Sequence, residues 1–342
     1  MGRGLAIQLA KKEKVIGLAL CDVNRAELDE TIKLASNAGV KIIGSIVDVS
    51  NREMVEKWRD EVVHEFGGCD VLFNNAGINA NGRLIYEPSD DVKLLEKHWD
   101  RCFNVDFFGV LYCMRAFLPV LISRKEAYLV NTSSVNAFYT WPEHSAYTAA
   151  KHAVKGLTDS VMIELRAKAP HVKVALLHPG GVKTNIAAST LHVDNHPGND
   201  NAAKLAEAFN FIADLTSDQA ADWIINAVKN DEYRVLVGYD AWLLDKMVRI
   251  FPQGIYSFYE QIGKEGFIVN PFDSSKKNVS VIGPLVLFRI IAAGLWTHLL
   301  FLWPMAFLKL RHTPSGQAGL YLLAAGAGYG LLNTIFGKPS KL

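Results

Sequence analysis

The sequence predicts an α/β domain followed by a hydrophobic helical hairpin, on two observations. Apolar runs of strand length alternate with longer helical runs through residues 1–270, and two uncharged runs of nineteen and eighteen residues lie within 271–342. At 342 residues the chain is long enough for one large α/β domain and an appendage. A formal net charge of +1 without a basic run argues against a nucleic-acid partner. Cys21, Cys69, Cys102 and Cys113 show no Cys-x-x-Cys spacing and sit mostly in apolar surroundings, which predicts free thiols in a reducing compartment. Residues 2–12 lack a continuous apolar core, so no secretory signal is expected.

In chain order, GRGLAIQLAKK (2–12) reads as an amphipathic helix and 15–20 as a strand that ends at Asp22. A helix over 25–38 leads to a strand at 40–47, with Asp48 and Val49 behind it, then a helix over 52–66. The short strand 70–73 runs into Asn74-Asn75-Ala76-Gly77, and 90–122 reads as one long helical stretch containing Asn104. The apolar run 127–130 predicts a strand ending by Ser133, and the Ala-rich segment around Tyr147 a helix reaching about 168. Residues 172–177 form the next strand, which opens into His178-Pro179-Gly180-Gly181-Val182-Lys183-Thr184. The turn-rich stretch 186–216 has the composition of a functional loop. A helix at 217–229, a strand at 234–238 and an amphipathic segment at 242–251 complete the domain.

The chemistry concentrates between Asn131 and Lys151. Tyr147 and Lys151 stand four residues apart on a helix and share a face. An ammonium beside a phenol favours the phenolate, so Tyr147 is expected to titrate below the usual tyrosine range and to exchange a proton with a carbonyl or alcohol oxygen. Ser134 is placed to hydrogen-bond the same oxygen. His192 and His196 lie four apart but lack the further ligands of a metal site, so none is expected.

Strand, hydroxyl loop, then Tyr/Lys helix resembles the short-chain dehydrogenase/reductase family over residues 2–240, and Asn-Asn-Ala-Gly (74–77) and Pro179-Gly180 match in order. The resemblance implies a Rossmann-type, doubly wound parallel sheet and reversible hydride transfer between NAD(P) and an alcohol/carbonyl pair. It implies Tyr147 as acid/base, Lys151 as its partner and ribose contact, Ser134 as the positioning hydroxyl and Asn104 as the holder of a relay water. Gly2 corresponds to the last glycine of the phosphate loop, so the sheet is expected to lack its central first strand. A late start of the reading frame is favoured over a truncated form. Asp22 would accept from the adenosine ribose and favour NAD, while Arg25 keeps NADP open. Asp48 and Val49 would lie by the adenine. Asn75, Ala76 and Gly77 would let backbone approach the cofactor, and Pro179, Gly180, Val182 and Thr184 would frame the nicotinamide.

The polar segment 270–278 predicts a domain boundary. Residues 290–308 and 319–336 are uncharged and long enough to cross a bilayer, with small residues at Ala324, Gly326, Gly328 and Gly330 for close helix approach. The competing reading is a pair of helices buried in the interface of a homo-oligomer. Lys276, Lys277, Lys338 and Lys341 outside the pair, against Lys309 and Arg311 between, put the enzyme domain on the cytoplasmic side. A membrane hairpin suggests a lipophilic alcohol or ketone as substrate. The rival function is a non-catalytic membrane-attached protein that keeps the fold without a complete phosphate loop.

Overall fold

The computed structural model describes residues 1–36, 39–80, 84–86, 88, 90–140, 144–186, 213, 215–250 and 252, within a unit spanning Met1–Tyr259. The hairpin, the boundary at 270–278, His192 and His196 lie outside the described residues, as does most of 186–216.

The elements are α1 (Gly2–Lys12), β1 (Gly17–Asp22), α2 (Arg25–Ser36), β2 (Lys41–Ile46), α3 (Arg52–Phe66), β3 (Val71–Asn74), α4 (Val92–Phe103), α5 (Gly109–Ile122), β4 (Ala127–Thr132), α6 (Ser145–Lys168), β5 (Val172–Pro179), β6 (Val182–Lys183), β7 (Leu215–Thr216), α7 (Ser217–Lys229), β8 (Arg234–Val237) and α8 (Tyr239–Ile250). All strand pairs are parallel. Their order is β3-β4-β5-β8 in one sheet and β1-β2 in another, with β6-β7 a small separate pair. No ladder joins β1 to β3 among the described strands, so the sheet is interrupted at the place where the sequence predicts a missing strand.

Helices cover both faces, as parallel strands require. Strand β4 shows why: successive side chains point to opposite faces, so Leu129 packs with α3 and α5 through Trp58, Met114 and Phe117, while Val130 packs with α1 and α7 through Leu5, Ile224 and Ile225. The helix ends are set locally. Asn51 accepts from the Met54 N–H to start α3, and Gly67 ends it in the left-handed region (φ 71°). Thr216 and Gln219 form a capping box at α7.

One predicted element is corrected. The single helix over 90–122 is α4, a π-turn (Asn104–Phe108) and α5 in sequence. A π-turn adds a residue to the helical turn and rotates the faces of every residue beyond it. Gly109 lets this bend lie on the loop after β2, since a Cβ there would fall 2.7 Å from Val49 Cγ2. The stretch Val92–Ile122 is apolar and long enough to cross a membrane, but half of its most apolar window is buried inside the domain. Its Met114, Phe117 and Leu121 belong to the core.

Candidate active site

The site grows from the carboxyl ends of β3 and β4, where parallel strands leave room for ligands. Asn74 donates to Asn131 across these strands (2.7 Å), and Asn131 donates to Thr158 of α6 (2.9 Å). This buried chain fixes α6 against the sheet. Ser133 Oγ then donates to the Lys151 carbonyl (2.9 Å), setting the height of the catalytic turn of α6. Ser134 caps the short 3-10 turn Val135–Ala137 by accepting from the Asn136 N–H.

Ser134, Tyr147 and Lys151 are brought together as the sequence predicts. The Ser134 hydroxyl faces the Tyr147 phenol and favours its ionised form. Lys151 Nζ lies 5.4 Å from the centre of the Tyr147 ring, donates to the Thr132 carbonyl (3.2 Å) and stands 3.2 Å from Asp106 Oδ2. Asp106 is fully buried and Lys151 is 3 % exposed.

Asn104 does not join them. It is exposed at the start of the π-turn, while Asp106, two residues on, faces Lys151. The reason is the π-turn itself, which displaces the faces that an uninterrupted helix would present. A signal is present in the sequence: Asp106 is the one charged residue between Arg101 and Arg115.

The expected depression of Tyr147 is also reversed. Burial holds the phenol above the usual tyrosine range; Lys151 pulls it down, but Asp106 pushes it up again. Lys151 is held above the usual lysine range because, although burial opposes its charge, Asp106 and the phenol together outweigh that effect. The Cys102 thiol beside them is pushed up by burial and by Asp106, and so stays neutral.

The predicted cofactor residues line the same end of the sheet. Gly2 opens α1, whose first N–H groups carry no side-chain cap. A Cβ on Gly2 would fall 2.9 Å from Asn75 Nδ2, and Asn75 Oδ1 is buried without a hydrogen-bond partner. Asp22 is exposed at the end of β1 and accepts from the Asn24 N–H (2.9 Å), while Arg25 pairs with Asp29 (2.9 Å). Asp48 is held by Ser50 (2.6 Å) and Arg101 (2.9 Å); Val49 is buried. Ala76 is exposed, and a Cβ on Gly77 would meet Asp106 Oδ1 at 3.2 Å and Lys151 Nζ at 3.3 Å. Pro179 and Val182 are buried, Gly180 lies under the Asp240 carboxylate, and Thr184 Oγ1 accepts from the Ile186 N–H (3.4 Å). An uncapped helix start beside an unpaired amide oxygen, with an exposed carboxylate at the neighbouring strand end, fits a dinucleotide. Among the described residues no cluster of His, Cys, Asp or Glu could hold a metal ion.

The family described as short chain dehydrogenase matches residues 1–194. SadH of Mycobacterium tuberculosis, named as an oxidoreductase, is 37 % identical over 251 residues, covering 73 % of this chain and 86 % of the relative. Epidermal retinol dehydrogenase 2 of Mus musculus is 37 % identical over 188 residues, covering 54 % of this chain and 58 % of the relative. A short chain dehydrogenase/reductase from Burkholderia phymatum, solved in complex with NAD, superposes with a TM-score of 0.62 at 28 % identity, covering 73 % and 90 % of the two chains. The chain belongs to the short chain dehydrogenase family and is an NAD(P)-binding oxidoreductase acting on CH-OH donors.

Proposed function

We propose that the chain interconverts an alcohol and a carbonyl on a lipophilic substrate, with NAD preferred and with attachment to a membrane through residues 280–342. The observation that carries the reaction is the contact set of Ser134, Tyr147 and Lys151 at the end of β4. Tyr147 gives its phenolic proton to the carbonyl oxygen in reduction and takes one from the alcohol in oxidation. Ser134, beside the phenol, orients that oxygen. Lys151 lies beneath the ring with its ammonium fixed by the Thr132 carbonyl. The bound nicotinamide supplies or accepts the hydride. Gly2 and the start of α1 hold the pyrophosphate, Asp22 the adenosine ribose, and Pro179 to Thr184 the nicotinamide end.

Two uncharged runs of bilayer length support a lipophilic substrate, as does the name of the mouse relative. Fluorescence titration with NADH and NADPH, followed by turnover assays with long-chain, steroid and retinoid alcohols and ketones, tests the reading. Deleting residues 280–342 should move the protein from the membrane pellet to the supernatant. The alternative, a non-catalytic membrane-attached protein that keeps the fold, gains if NADH does not bind.

A further inference from the structure

We propose that Asp106 is the positioning residue of this site: its buried carboxylate anchors the Lys151 ammonium and offsets its charge towards Tyr147. The proposal rests on Tyr147 being the proton-exchanging group.

The geometry leaves the carboxylate little other purpose. Oδ1 accepts from the Ile78 N–H (2.7 Å), which ties the π-turn to the loop after β3. Among the described residues Oδ2 has no hydrogen-bond partner, and it stands 3.2 Å from the ammonium. Packing alone does not call for such a pair. Two charges removed from water are no more stabilising than apolar side chains of the same volume, and each is costly once the other is gone. Gly77 covers the pair so closely that a Cβ would press on both partners.

The ionisable groups facing the pair are Cys102 of α4 and Tyr147 of α6; the loop after β3 contributes the Ile78 N–H. The thiol is neutral over the working range. Burial pushes the Asp106 carboxyl up, while the Lys151 ammonium and the Ile78 N–H draw it back towards the charged form in which Tyr147 faces one cation and one anion. Burial holds the phenol up, and an unbalanced ammonium would pull it further towards the phenolate. With the carboxylate present the phenol keeps its proton, which is the form that protonates a carbonyl oxygen. The pair therefore extends to higher pH the range over which Tyr147 can donate a proton.

The test is a spectroscopic titration that needs no turnover. The alkaline absorbance change of Tyr147 is isolated by subtracting the Tyr147→Phe variant, in the unmodified chain and again with Asp106→Asn. The Asn side chain keeps an acceptor for Ile78 and removes the charge. The Tyr147 curve should move to lower pH in Asp106→Asn, and the alkaline limb of carbonyl reduction should move with it. A curve that coincides with that of the unmodified chain, or lies above it, overturns the proposal. A chain that titrates as expected but never turns over would instead count against the enzyme reading. If Asp106→Asn melts before it can be titrated, Asp106→Asn/Lys151→Met decides. The double variant should melt higher than Asp106→Asn alone, and a melting point lowered by the sum of the two single changes overturns the pair.

Discussion

The four-stranded sheet β3-β4-β5-β8 and the two-stranded pair β1-β2 are built from similar apolar runs but end in different states. In β4 every residue but Tyr128 is buried, and the polar groups at its carboxyl end are bonded into α6. In β1 no residue is fully buried, and Asp22 ends it in the open. The four-stranded part carries Ser134, and α6 fixed upon it carries Tyr147 and Lys151; the two-stranded part carries Asp22, the residue proposed to meet the adenosine ribose. The proton-exchanging half is thus enclosed on both faces. In the nucleotide half, Ala19 and Cys21 pack only partly buried against the same core, and α1 reaches α2 through Arg3, which meets Thr31 (3.0 Å) and Glu27.

The largest effect should come from the enclosed half. Tyr147→Phe removes the hydroxyl and nothing else, and turnover should fall by about 10³-fold or more, while NADH affinity changes little. Turnover within tenfold of the unmodified chain would remove Tyr147 from the chemistry.

Core truncations measure the same contrast as stability. Phe117 of α5 is 1 % exposed and packs edge-on against Trp58 at 5.3 Å, so Phe117→Ala should cost about 3–5 kcal/mol. Leu20 of β1 is only partly buried, and Leu20→Ala should cost less than about 1.5 kcal/mol. Equal losses in denaturant melts would erase the contrast between the two sheets.

The sequence makes the enclosed half legible because its signals are short-range. An i,i+4 Tyr/Lys pair and a hydroxyl just past an apolar strand need only helix and strand periodicity to be placed. Asp106 is out of reach of the same reasoning. A reading at 3.6 residues per turn keeps 90–122 as one helix, and nothing local announces a π-turn or its extra residue. The polar residue that such a reading selects, Asn104, is therefore one that the bend leaves outside. The sign of the Tyr147 shift fails for a related reason, since it depends on burial and on Asp106, both set by tertiary packing.

A pH test probes the floor of the enclosed half. His178 is fully buried, bonds the Ser134 carbonyl through Nδ1 (2.9 Å) and leaves Nε2 without a partner. Burial lowers its pKa to about 4, more than the Ser134 carbonyl and Asp159 can restore. The ring folds neutral, so protonation favours the unfolded chain. Its stability is whole above the unfolded pKa of about 6.5, drains as pH falls towards about 4 and levels below that, up to about 3 kcal/mol in all. His178→Asn keeps a donor for Ser134 and should flatten this decline in urea melts between those pH values; an unchanged slope would place the titrating group elsewhere.

The smallest effect should appear in the two-stranded half, where solvent screens charge. Asp22 and Asp48 both follow β-strands in this pair, but they are not equally free. Asp48 is spent on Ser50 and Arg101, which hold it below the usual carboxylate range although burial opposes them. Among the described residues the exposed Asp22 carboxylate engages the Asn24 N–H alone, so under the proposed function it is available to ribose hydroxyls and would repel a phosphate at the 2′ position. Arg25, three residues further on, is turned to Asp29. Asp22→Ser keeps a short side chain that can accept from Asn24 and removes the charge. The ratio of NADPH to NADH affinity should then rise by about tenfold, mostly through tighter NADPH binding, and the gain should shrink in high salt. If the unmodified chain binds NADPH as tightly as NADH, Asp22 does not select the nucleotide, and the β1 end only caps α2.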